Sequence, residues 1–240
     1  MAVPAKFLVT QLSDENYNSY LCEKIQEIAN EAISSRGVFL LGVSGGSIIS
    51  ILAEGLPKLN TDWTAWKIFL CDERLVPEDD SESTYGQYKI KLFPTLASFP
   101  EANFVAADCS LAGVEAAKDY EAKLRALWTE EEKNSPSYGM ADCLLLGVGP
   151  DGHTCSLFPN HAALSVGDCW VTNIEDSPKP PPARITLTYT FINKATNILI
   201  AGKGKEKWDI LEKVQNGQDF PIGRVDNPGG HLEWILNDAK

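Results

Sequence analysis

No run of apolar residues in the sequence approaches the roughly 20 needed to span a bilayer; VFLLGV at 38–43 is typical of what is present. No charged segment followed by a long apolar core opens the chain, so no secretory leader is expected and a cytoplasmic location is. The six cysteines (22, 71, 109, 143, 155, 169) form no CxxC pair. Without an export signal they read as reduced, mostly buried thiols. Only three histidines occur, and none stands in HxH, HExxH or a paired Cys/His spacing, so a metal site is not expected. The phosphate loop GxxxxGK[ST], the dinucleotide fingerprint GxGxxG and the serine-hydrolase elbow GxSxG are all missing. Basic residues are scarce: 21 Lys and Arg stand against 33 Asp and Glu, a net charge of −12. A chain so charged is repelled by nucleic acid and by anionic membranes. A small anionic ligand remains open if the few cations gather in one cleft.

What is present suits one α/β unit over residues 1–240, with enough apolar residues (44%) to bury a core without staples. A monomer is expected. Helical spacing runs from Ser13 to Arg36, with Ser13 as N-cap and Gly37 as stop, from Ala112 to Trp128, and from Glu206 to Gln215. Between these lie short, nearly continuous apolar runs: Val38–Val43, Trp66–Cys71, Cys143–Val148 and Asn197–Gly202. Continuous apolarity fits strands buried on both faces, as in a parallel sheet covered by helices. Thr186–Phe191 reads as an added strand or a strand-to-helix element, and the prolines of 177–182 read as an extended loop.

The polar residues after these strands carry the chemistry, because open α/β sheets bind ligands beyond the carboxyl ends of their strands. Ser44-Gly45-Gly46-Ser47 precedes a helix-like stretch; it is either a plain tight turn or a phosphate cradle at a helix start. Asp72-Glu73-Arg74 follows the second strand. Gly149-Pro150-Asp151-Gly152-His153-Thr154 follows the third, and a histidine held among glycines there suits proton transfer, with Asp151 or Asp72 to orient it. The bland alternative is a hydrogen-bonded loop histidine. His161 and His231 have no such setting and read as surface or structural residues. Cys155 reads as packing rather than as a nucleophile. Arg184 and Lys205 are the candidate phosphate cations, against the alternative of ordinary surface charge.

LGVSGGS (41–47), CDERLVPEDDSESTYG (71–86), LLLGVGPDGHTCSLFPNH (144–161), SPKPPPARITLTY (177–189) and GKGK (202–205) together resemble the 6-phosphogluconolactonase family. The resemblance implies a Rossmann-like α/β/α sandwich with a mainly parallel sheet, of the glucosamine-6-phosphate deaminase and ribose-5-phosphate isomerase type. It implies hydrolysis of 6-phospho-D-glucono-1,5-lactone with no metal or organic cofactor, and a small-molecule sugar-phosphate partner. It carries His153 over as the catalytic histidine and Asp72 and Arg74 as active-site residues. Ser44, Gly45 and Gly46 become the loop near the phosphate, and Arg184 and Lys205 its basic ligands. The deaminase relatives place a glutamate five residues beyond the histidine; Phe158 stands there instead, which argues against sugar isomerisation. A non-catalytic phosphosugar-binding domain is the remaining alternative. The tail after Gly217 carries little family signal.

Overall fold

Why the apolar runs become central strands is visible in their burial: every residue of the run 39–43 is buried, so both faces of the sheet are covered there. The computed structural model describes residues 7–96 and 98–238. The first six residues, part of the stretch read for a leader, lie outside it. In chain order the first half holds β1 (Leu8–Leu12), α1 (Asp14–Arg36), β2 (Phe39–Val43), α2 (Ser47–Gly55), β3 (Trp66–Leu70), β4 (Asp72–Arg74), α3 (Thr84–Lys91) and β5 (Phe104–Val105). The second half holds α4 (Gly113–Arg125), β6 (Cys143–Gly147), β7 (Val171–Ile174), β8 (Arg184–Leu187), α5 (Tyr189–Ile192), β9 (Asn197–Gly202), α6 (Lys205–Gln215) and β10 (His231–Asn237).

Among the described residues seven strands form one sheet in the order β1-β10-β9-β6-β2-β3-β5, every pairing parallel. With helices packed on it this is the expected α/β sandwich. The four apolar runs became β2, β3, β6 and β9 within a residue or so of their expected bounds, and they are consecutive in the sheet. Their carboxyl ends are therefore neighbours, and the chain leaves β2 toward β3 on one side while β6 lies on the other, the switch-point geometry of ligand-binding α/β sheets.

The three expected helices form α1, α4 and α6. Ser13 stands at the N-cap of α1, but its side chain makes no capping hydrogen bond. Gly37 ends that helix in left-handed backbone, its N–H donating to the Ile33 carbonyl. Thr186–Phe191 resolves into the end of β8 followed by the single turn α5. It belongs not to the large sheet but to a second, antiparallel one, β4-β8-β7, packed on α4. All six cysteines are free thiols, with Cys109 and Cys169 only half-buried. No helix of the described residues is long and apolar enough to cross a membrane.

Candidate active site

One cleft opens where β2, β3, β6 and β9 end. Ser44, Gly45, Asp72, Arg74, His153 and Arg184 line it, as do Gly46, Thr84, Cys155, Lys203 and Lys207, around about 390 Å³. The sequence separates these residues by up to 163 positions; the sheet order brings them together.

The turn after β6 builds the histidine. Gly149 N–H donates to the His153 carbonyl (2.9 Å) and Gly152 N–H to the Gly149 carbonyl (3.0 Å), closing a tight loop. The imidazole packs directly on Gly149, where any side chain would overlap it. Asp151 is hydrogen-bonded to Nδ1 of His153. Lys179, reaching in from the proline-rich loop, lies 3.2 Å from both Asp151 Oδ1 and His153 Nδ1. An ammonium can only donate, so both it and an Nδ1–H of His153 point at the carboxylate, which leaves the Nε2 lone pair as the free base. Burial pushes His153 below the ordinary histidine range; Asp151 opposes that and Lys179 adds to it. Asp151, although burial works the other way, is held below the usual carboxylate range by His153 and Lys179.

β4 divides its residues by strand alternation. Asp72 and Arg74 face the cleft. Glu73 turns away and accepts the backbone N–H groups of Arg74 (2.7 Å), Thr84 (2.8 Å) and Tyr85 (2.7 Å), fastening the start of α3 to the strand. Asp72 does not bond the imidazole; it accepts the Ser156 hydroxyl at 2.7 Å, and that oxygen in turn accepts Arg184 Nη1 at 3.3 Å.

Arg74 and Arg184 stand directly opposite each other across the antiparallel pair β4–β8. Like charges in that register are destabilising unless something compensates them. Glu82 takes one edge of Arg74, at 2.9 Å. Among the described residues the Arg74 Nε is buried without a hydrogen-bond partner, as is the Ser44 hydroxyl. Arg184 is held by the carbonyls of Lys179 (2.9 Å), Pro180 (3.1 Å) and Pro181 (3.0 Å). Together with Ser156 these engage all but one of its N–H donors, so the proline loop aims the guanidinium and leaves it one hydrogen for a ligand. Burial and the neighbouring Arg74 push Arg184 below its ordinary range.

Of the expected residues, Lys205 is not brought in. It is exposed and paired with Asp209 at 2.6 Å, one helical turn on. Lys203 and Lys207 line the cleft instead. Lys179, Ser156 and Thr84 were not singled out from the sequence; only the lactonase-like SPKPPP run hinted at the first. His161 and His231 are structural, bonded to Asp176 (2.9 Å) and Glu233 (2.8 Å). Among the described residues no group of three or more His, Cys, Asp or Glu side chains is arranged to hold a metal ion.

Residues 13–234 match the family described as glucosamine-6-phosphate isomerases/6-phosphogluconolactonase.

The chain belongs to that family.

It is 38% identical over 248 residues to the 6-phosphogluconolactonase of Rattus norvegicus, covering 100% of this chain and 94% of the relative. It is likewise 38% identical to the enzyme of that name from Homo sapiens, over 249 residues, with the same coverage. The crystal structure of 6-phosphogluconolactonase from Thermotoga maritima superposes with a TM-score of 0.84 at 26% identity, covering 97% of this chain and 100% of that one.

Proposed function

We propose that the cleft hydrolyses 6-phospho-D-glucono-1,5-lactone to 6-phosphogluconate, the second step of the oxidative pentose phosphate pathway. The observation that supports it most is a carboxylate-bound imidazole sharing one cleft with two cross-strand arginines. The 6-phosphate is held by Arg74 and Arg184, with Ser44, the N–H groups at the start of α2 and the ammonium groups of Lys203 and Lys207 around it. His153 Nε2 takes a proton from water as the oxygen bonds to C1. Asp151 holds Nδ1–H and stabilises the imidazolium that results. The tetrahedral oxyanion collapses, the bond from C1 to the ring oxygen breaks, and the imidazolium returns its proton to that oxygen. The acid product then ionises. Asp72 acts through Ser156 on the aim of Arg184 rather than on the imidazole. The working form in this reading is a cytoplasmic monomer, and the net charge of −12 keeps nucleic acid away.

The test is acid release on adding fresh lactone at constant pH, corrected for spontaneous hydrolysis. General-base catalysis supplies about 10²–10⁴-fold, so His153→Ala should lose that much of kcat with the fold intact. A variant within twofold of wild type removes His153 from the mechanism. Wild-type protein that binds the phosphorylated ligand yet never exceeds the spontaneous rate is a binding domain, and ammonia from glucosamine 6-phosphate would mark a deaminase.

A further inference from the structure

His153 is surrounded by charge from three elements. Asp151 lies on its own turn, Lys179 on the proline-rich loop, and Asp72 on β4. Beside these charges stands an aromatic contact. The ring of Phe158, five residues on and fully buried, lies with its centroid 4.8 Å from that of the imidazole, the planes 36° apart. The same ring has the Arg184 guanidinium carbon 5.6 Å from its centroid. One uncharged side chain thus packs on both the proposed base and a proposed phosphate ligand.

We propose that Phe158 is a positioning residue for the hydrolysis: it keeps water off one face of the His153 imidazole and wedges that ring apart from Arg184. The physical reason is solvation. An imidazolium is stabilised by water and by negative charge, so a polar group at position 158 would favour the protonated ring, which has no lone pair to offer. The direction in which burial moves His153 agrees with this. A ring face also attracts cations, which works against the proposal at His153 and for it at Arg184. The comparison must therefore remove the ring in every variant and change polarity alone.

Phe158→Met and Phe158→Gln do this, because the two new side chains have nearly the same length and volume. The inference rests on His153 as the base, but its primary readout does not. With only three histidines in the chain, the His153 ring-proton resonance is identified by its loss in His153→Gln, and its midpoint is read by NMR titration. The Gln variant is expected to titrate about half to one unit above the Met variant. The acid limb of kcat/KM should move with it. Coincident midpoints, or a Met variant above the Gln variant, overturn the proposal. Midpoints that separate while the acid limb stays still leave Phe158 as the residue that sets the imidazole and overturn His153 as the base. Wild-type protein supplies a reading that needs no variant to fold: a His153 midpoint at or above about 6.5 also overturns the proposal.

Discussion

Burial and the charges of Asp151, Lys179 and Asp72 act on the protonation of the proposed base. Burial lowers His153, Asp151 raises it, and Lys179 lowers it again. The sum leaves the imidazole neutral at neutral pH. As pH falls through the depressed midpoint, the ring protonates and the Nε2 lone pair is lost, so kcat/KM should fall on the acid side, below about 6.5. Lys179→Met removes one downward push. The acid limb should then move up by as much as about one unit, measured from kcat/KM profiles. An unmoved or lowered limb would separate Lys179 from the base. His153 and Asp151 were readable because they share one short turn behind an apolar strand. Lys179 was not, since it arrives from 26 residues away across prolines that show no periodicity. Lys205 misled for a geometric reason. It opens α6, and residues two apart on a helix point to nearly opposite sides, so the cleft receives Lys207 while Lys205 pairs with Asp209.

Elements do the aiming. The turn after β6 works because Gly149 lets the imidazole lie on its backbone. Gly149→Ala should displace the ring and lower kcat by about 10²-fold, since a misplacement near 1 Å has that effect, with far-UV circular dichroism unchanged. A wild-type kcat would mean that the ring tolerates a methyl group there. The proline-rich loop acts through its carbonyls: those of Lys179, Pro180 and Pro181 accept Arg184, and that arginine is held before any ligand arrives. β4 shows the same economy of position: alternation sends Asp72 and Arg74 into the cleft and Glu73 to clamp α3. The DER triplet was visible as a triplet, but the division of labour within it needed the strand.

At the scale of the whole molecule, the tail after Gly217 shows how far the site depends on distant chain. The Phe220 ring packs against Gly152, and Ile222 N–H donates to the Gly152 carbonyl at 3.0 Å, so the tail braces the turn that carries His153. β10 then runs between β1 and β9 with Trp234, Ile235 and Leu236 fully buried. Trp234→Ala should lower unfolding free energy by about 3–5 kcal/mol in denaturant titration. A loss under about 1 kcal/mol would mean that β10 contributes little. The sequence by itself determined the α/β class, the four central strands and their chemistry-bearing ends, because apolar runs, helical spacing and short turn motifs are local signals. Tertiary structure alone decided the strand order, the pairing of β1 with β10 some two hundred residues later, the facing of Arg74 on Arg184, the arrival of Lys179 at His153, and that of Lys203 and Lys207 at the cleft. Those contacts depend on which buried surfaces fit one another across the chain, and complementarity of that kind leaves no periodic mark in the order of the residues.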